Sequence, residues 1–313
     1  DPGYVKQLNK SHINALNAVN LIDIYSVCRS RIIVTDHGPL ALILLTWLKR
    51  YIFIDVWHGI PYKGFDAGDF RYLHGYDYTF VSSELLKNIY IQRFGFNDKQ
   101  VVATGYARTD HLVKQDLVRD ELKRKYGLPD KTCKIIMYAP TWTHNKPGMD
   151  SDKHENSIGN AIDQISKYCE QHDAVAILRT HINTDMDYSR HTNTHFLPSS
   201  LYPDTEELLY ITDVLICDWS SIAFDYLLLE RPTIFIDIDS PFAKGFTLGK
   251  EFRFGPVVKD VNNLFELLEI SCFSPDSSLN EYRTQSLSIQ KAVYDDNADG
   301  YATMRCAEAI EAA

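Results

Sequence analysis

Five short segments of this 313-residue sequence carry residues that can move a proton or hold an anion. In DVWHGIPYKGF, Asp55 to Phe65, an apolar run ends and His58 follows at once, with Gly59, Lys63 and Gly64 behind it. A histidine titrates near neutrality, so it can take a proton from a hydroxyl nucleophile. Gly59 lets a backbone approach a ligand closely, and Lys63 can meet an anion. The plain alternative is a turn with a hydrogen-bonded structural histidine. In ATGYARTDHL, Ala103 to Leu112, Arg108 and Asp110 precede a helical stretch. There the simpler reading is preferred for Asp110, which is expected to cap a helix with Arg108 as its ion-pair partner. Arg108 is also within reach of a cleft.

In MYAPTWTHNK, Met137 to Lys146, Thr141, Trp142 and Thr143 follow a strand, and their hydroxyls and backbone N–H groups suit a phosphate or a nucleotide. His144 and Lys146 read as solvated residues. In AILRTHIN, Ala176 to Asn183, Arg179 and His181 are two residues apart and project to one side of an extended chain. Both donate to phosphate oxygens, Arg in a bidentate way; the bland alternative is a salt bridge at a strand end. In the long segment Ile211 to Asp239, a strand runs through Asp218 and Trp219 into Ser220 and Ser221, where a helix begins. Two hydroxyls beside the free N–H groups of a first helical turn make an anion site, against the common alternative of a serine N-cap. Asp237-Ile238-Asp239 reads as a strand end rather than a metal motif, and the i, i+4 pair His191 and His195 lacks an acidic partner, so no metal is expected.

These segments need strands to end where they begin. Ile32–Thr35, Tyr51–Val56, Tyr78–Val81 and Val101–Thr104 read as buried strands, with helices expected at Leu40–Lys49 and Glu84–Phe94. The pattern pauses at YGLPDKT, Tyr126 to Thr132, then resumes with strands at Lys134–Tyr138, Ala174–Leu178, Val214–Cys217 and Thr233–Asp237. Helices are expected at Asn156–Gln171, Ser221–Leu229, Val261–Ile270 and from Ser278 to the end, interrupted near Asn297–Gly300. Continuous Val/Ile-rich strands alternating with helices indicate parallel sheets covered on both faces. The expected fold is therefore α/β with two Rossmann-like domains, 1–126 and 127–313, and a cleft between them. Ligands of open parallel sheets bind beyond the carboxyl ends of the strands, where the five segments fall.

Composition narrows the function. Apolar residues make up 45% and charged residues 24%, so the chain is an ordinary globular one. A net charge of −10 argues against a nucleic-acid binder that works by bulk phosphate neutralisation. Six scattered cysteines without a C-x-x-C pair read as reduced thiols of a cytosolic protein. The longest apolar stretch, Pro39 to Leu48, is about half of a membrane span. No signal peptide opens the sequence, and a start at Asp1 without Met leads us to expect a trimmed chain or a fragment.

Taken in order, WHGIPYK (57–63), SSELLKNIYIQRFGF with TGYARTD (82–96 and 104–110), YAPTW (138–142), LRTH (178–181) and ITDVLICDWSSIAFDYLLLERPTIF (211–235) resemble the CDP-glycerol glycerophosphotransferase family of teichoic-acid and capsule enzymes. The resemblance runs from about residue 20 to the end. It implies a GT-B fold, with the N-terminal domain facing the acceptor and the C-terminal one holding the nucleotide. It implies transfer of glycerol phosphate or ribitol phosphate from CDP-glycerol or CDP-ribitol to a hydroxyl of a lipid-linked or polysaccharide acceptor, releasing CMP. No cofactor is expected beyond the donor substrate, and work at the inner membrane surface as a peripheral protein is expected. Carried over, His58 looks like the general base, His181 with Arg179 the pyrophosphate partner, Ser220 and Ser221 the phosphate-binding pair, and Thr141 a donor-site hydroxyl. Gly59, Lys63 and Arg108 complete the expected substrate-binding set. Residues 1–20 are expected to be the cut end of a longer protein. The competing readings are an inverting glycosyltransferase of the same fold, recognisable by release of a nucleoside diphosphate, and a non-catalytic nucleotide-binding module.

Overall fold

A computed structural model describes residues 5–6, 9–10, 20–48, 50–129, 133–141, 151–180, 193–239 and 242–313. Helix α1 (Leu21–Cys28) leads into a four-stranded parallel sheet in the order β1 (Ile32–Thr35), β2 (Ile52–Asp55), β3 (Tyr78–Val81), β4 (Val101–Ala103). Helix α2 (Glu84–Gln92) crosses from β3 to β4, started by the Ser83 hydroxyl, which accepts from the Leu86 N–H. Two short helices, α3 (Asp110–Lys114) and α4 (Arg119–Lys125), then carry the chain to a second sheet.

That sheet has six parallel strands, β5 (Lys134–Ala139), β6 (Ala174–Leu178), β7 (Thr194–Phe196), β8 (Val214–Cys217), β9 (Thr233–Ile236) and β10 (Val257–Val258), in the spatial order β10-β9-β8-β5-β6-β7. Every residue of β6, β8 and β9 is buried, which is why these strands read as unbroken apolar runs. Helix α5 (Ser151–Gln171) lays Ile158, Ala161, Ile162, Ile165, Tyr168 and Cys169 on this sheet, at the spacing of one helical face. Helices α6 (Thr205–Ile211) and α7 (Ile222–Leu227) flank β8, and α8 (Leu264–Phe273) covers the face shared with α5. The order of strands and crossovers is the expected α/β, GT-B arrangement of two Rossmann-like units.

Two expectations need correcting. Leu40–Trp47 forms 3-10 turns rather than an α-helix, and its Thr46 hydroxyl donates to the Ile43 carbonyl three residues back. The second concerns the C-terminus. Helix α9 (Pro275–Tyr294) carries the chain back to the first unit, where the Ser82 hydroxyl donates to the Val293 carbonyl. Helix α10 (Ala302–Glu311), expected with the second domain, packs on the first sheet through Cys306 against Ile54 and Phe80. The reason is electrostatic as well as apolar. The Asp110 carboxylate accepts from the N–H groups of Ala302 and Thr303, both at 2.9 Å, and so caps a helix 192 residues further on.

The two units meet along the segment after β2. The Gly64 N–H donates to the Gly245 carbonyl at 2.7 Å, and the Tyr62 hydroxyl donates to the Phe252 carbonyl at 2.9 Å. Tyr62 packs on Phe224 and Trp219, so one hydrophobic core is continuous across the joint. A Cβ at Gly64 would be driven into the carbonyls of Lys244 and Gly245. Gly64→Ala is therefore expected to cost about 1–3 kcal/mol by overpacking the joint, read as a lower urea midpoint; an unchanged midpoint would show that the backbone yields there.

Candidate active site

A cleft of about 1130 Å³ lies where the carboxyl ends of the two sheets face each other. It is lined by His58, Gly59, Lys63, Arg108, Thr141, Arg179, Ser220 and Ser221, so eight of the nine residues singled out by sequence share one cavity. The ninth, His181, lies outside the described residues, as do Trp142, Thr143, His144, Lys146 and His191.

His58 follows β2 after one residue of unusual backbone, Trp57, whose φ is +42°. A carbonyl only accepts, so the 2.9 Å contact from His58 Nδ1 to the Asp36 carbonyl makes Nδ1 the protonated nitrogen. The lone pair of the neutral ring then sits on Nε2. His37 stacks on the ring at 4.1 Å and 6°, and Trp57 leans on it at 4.2 Å and 35°. His58 is exposed and lines the cavity. Loss of water around the ring pushes the His58 pKa below the usual imidazole value; the Asp36 carbonyl works the other way, and positive charge on His37 and Arg108 adds to the lowering.

At Gly59 the first unit lies against Ser221 of the second, at ordinary contact distance. A Cβ there would meet the Ser221 hydroxyl at 3.4 Å and the Arg108 guanidinium at 3.7 Å. Ser221 stands at the start of α7 but makes no capping hydrogen bond with its side chain, so its hydroxyl is not consumed by the helix. Lys63 is held through its backbone: its carbonyl accepts from the Thr247 hydroxyl, and its ammonium lies 5.4 Å from the Phe65 ring.

Four other residues, Arg108, Asp110, Arg179 and Thr141, have partners that their local sequence did not indicate. Arg108 does not pair with Asp110; its guanidinium grips Asp225 of α7, with Nη2 at 2.8 Å from Oδ1 and Nε at 3.2 Å from Oδ2, and Glu206 stands 3.4 Å away. Asp110 is unavailable because it caps α10. Arg179 is buried, and its Nη1 and Nη2 groups donate to the Leu197 and Tyr202 carbonyls and the Thr205 hydroxyl. These bonds use three of the five N–H donors of the guanidinium. Thr141 donates both its N–H and its hydroxyl to the buried Asp218, which also accepts from the Trp219 N–H. Its hydroxyl proton is thus committed to Asp218.

Several functional-looking groups gave no sequence signal. Local sequence assigns Asp218 and Asp225 no role in the site, yet one ties the β5 and β8 loops together and the other anchors Arg108. Glu206 lines the cavity and is pushed up by burial and by the negative Asp225. Asp55, the last residue of β2, is fully buried with no completed hydrogen bond on either carboxyl oxygen. Its pKa is pushed up to about 7, chiefly by burial, with Asp36 adding and the Trp57 N–H and Thr35 hydroxyl opposing. Among the described residues no cluster of three or more His, Cys, Asp or Glu side chains has the form of a metal site. Asp237 instead pairs with Arg253 at 2.9 Å.

A family model described as CDP-Glycerol:Poly(glycerophosphate) glycerophosphotransferase matches residues 5–312. The teichoic acid ribitol-phosphate polymerase TarK of Staphylococcus aureus is 30% identical over 229 residues, covering 66% of this chain and 43% of its own length. The teichoic acid poly(ribitol-phosphate) polymerase of Bacillus spizizenii is 27% identical over 308 residues, covering 91% of this chain and 47% of its own. The chain thus spans less than half the length of these two relatives. The solved structure of a variant of the wall teichoic acid polymerase TagF superposes with a TM-score of 0.75 at 24% identity, covering 95% of this chain and 76% of that one. At that identity the likeness is one of fold.

Asp55 supplies a stability test. A carboxyl whose pKa is raised by folding favours the native state below its unfolded value near 4, and that contribution is lost as pH rises to about 7. Asp55→Asn keeps the neutral shape and cannot ionise. Its gain in stability over the parent should grow by about 1–3 kcal/mol between pH 5 and pH 8, measured by denaturant unfolding at both; an equal gain at the two pH values would mean that Asp55 stays ionised in the fold.

Proposed function

Because the chain belongs to the CDP-glycerol:poly(glycerophosphate) glycerophosphotransferase family, we propose that it transfers glycerol phosphate or ribitol phosphate from a CDP-alditol to a hydroxyl of a teichoic-acid-like acceptor. The observation that carries this reading is His58, held as the Nδ1–H tautomer by the Asp36 carbonyl so that Nε2 bears the lone pair, in the lining of a cleft that also contains Lys63, Ser220 and Ser221.

An acceptor hydroxyl attacks the alditol-bearing phosphorus of the donor. The new P–O bond forms as the bond from that phosphorus to the bridging oxygen of the pyrophosphate breaks, and CMP leaves with the bonding pair. The hydroxyl proton passes to Nε2 of His58, whose Nδ1–H to the Asp36 carbonyl stabilises the resulting imidazolium. General base help of this kind is worth about 10²–10⁴-fold. Lys63 and the two serine hydroxyls stand ready for the charge on the phosphoryl oxygens. His181 belongs to this reading through the family motif, as a partner of the donor pyrophosphate.

The acceptor is proposed to be lipid-linked or a glycan, met at a membrane surface. Among the described residues no helix is long and apolar enough to cross a membrane. Peripheral contact is supported by the exposed Leu21, Ile22 and Tyr25 of α1 and by Leu44, Trp47 and Leu48 in the segment before β2.

The test is CMP release from CDP-glycerol and from CDP-ribitol, with and without an alditol-phosphate oligomer as acceptor. Acceptor-dependent CMP from one donor is expected. His58→Ala should lower turnover by about 10²–10⁴-fold while calorimetric affinity for CDP stays near that of the parent. The acid limb of the parent's pH profile should lie below the usual imidazole value, since His58 serves only when neutral and its pKa is lowered. Turnover in His58→Ala equal to the parent would sink the base assignment, and absence of CDP binding would sink the donor site.

A further inference from the structure

A single hydrogen bond does not fix a ring. The bond from His58 Nδ1 to the Asp36 carbonyl leaves the imidazole free to swing about its side-chain torsions, and with it the direction of the Nε2 lone pair. The two ring faces decide that direction, and one of them is covered by His37, nearly parallel at 6° and 4.1 Å away. His37 is itself tethered: its Nδ1 lies 3.1 Å from the Asp36 carboxylate. One residue, Asp36, therefore holds both rings, one through its main chain and the other through its side chain. His37 lines the same cleft, and its side chain is 58% exposed, so burial in a core does not account for its placement. Trp57 touches the His58 ring at 35°, which leaves the flat contact to His37.

We propose that His37 is a positioning residue for His58, its ring acting as a flat wall that keeps the His58 imidazole plane, and so the Nε2 lone pair, aimed into the cleft. This rests on the reading of His58 as the base. The charged and titratable groups that face His58 are Asp36 and His37 from the loop after β1, and Arg108 from the loop after β4. A misaimed base loses rate without losing donor affinity, because the donor's phosphates are held by other residues.

Two variants separate the ring face from the ring charge. His37→Phe keeps a flat face and removes the nitrogens; His37→Ala removes both. In the full-length protein, His37→Ala is expected to lower kcat for CMP release by about tenfold with the donor KM unchanged, and His37→Phe to stay within about threefold of the parent. A second measurement needs no substrate. In the free protein, an NMR titration of His58 should show its pKa rising in His37→Ala, where the exposed face regains water, and changing less in His37→Phe. Parent-like kinetics and titration in both variants would overturn the proposal. Equal loss in both would also overturn it, by assigning the effect to the His37 nitrogens. His58→Ala run alongside keeps the failures apart: full activity there defeats the base reading, whereas an inactive His58→Ala beside a parent-like His37→Ala defeats only the positioning role.

Discussion

The guanidinium of Arg108 joins the two halves of this molecule at the edge of their shared cleft. It leaves the first unit just after β4, grips Asp225 on α7 of the second, and faces Glu206 on α6. Asp225 also accepts from the Tyr294 hydroxyl at the end of α9, so the element that carries the chain back to the first sheet is tied to the same carboxylate. Removing one partner of this partly buried pair leaves the other uncompensated, at a cost below the roughly 3–5 kcal/mol of a fully buried one. The pair thus acts less as a source of net stability than as a restriction on register: α7, with Ser220 and Ser221 at its start, can sit beside Gly59 only where Arg108 and Asp225 meet. The floor of the cleft follows from that contact.

Strands were readable where burial on both faces demands continuous apolar residues, as in VLIC of β8 and TIFI of β9. The strand ends were readable too, since polar segments break those runs at His58, Thr141, Arg179 and Ser220, and all four line the cleft. The run from Leu40 to Trp47 misled because it is apolar throughout and so carries no helical face to read. Partners separated by many residues were beyond the reach of local pattern. Asp110 lies two positions from Arg108, yet one caps a helix 192 residues away and the other pairs with a carboxylate 117 residues away. His37 gave no signal for the same reason, since its contact with His58 arises only when the loops after β1 and β2 lie side by side.

Parallel pairing explains why those two loops meet. Thr35 and Asp55 are in register at the last position of β1 and β2, so the residues that follow each strand emerge together at the sheet's carboxyl edge. Asp36 and His37 are then next to Val56, Trp57 and His58 by construction. The cost appears one position earlier. Asp55 stands opposite Thr79 of β3, and both side chains are buried without a completed hydrogen bond. A violation of polar pairing beside an unusual backbone, Trp57 at φ +42°, is where local stability rules give way to the needs of a site.

The cleft's charge is also unevenly distributed, and this bears on how a pyrophosphate would be held. Arg108 is neutralised by Asp225, with Glu206 close by, so its field in the cavity is small. Arg179 differs: two carbonyls and a hydroxyl take three of its five N–H donors without cancelling its charge, and it stands in the wall of the cleft. Lys63 has no ion-pair partner among the described residues, and its side chain lies on the aromatic face of Phe65 at the cleft. On the proposed reading, contact with the donor's phosphates falls to Lys63, the serine hydroxyls and backbone N–H groups, with the Arg179 charge in the same wall. Hydroxyl and N–H donors held by the fold beside the cations Lys63 and Arg179 suit a reaction in which negative charge moves from one phosphate to the next, because donors already in place need little reorganisation as it moves.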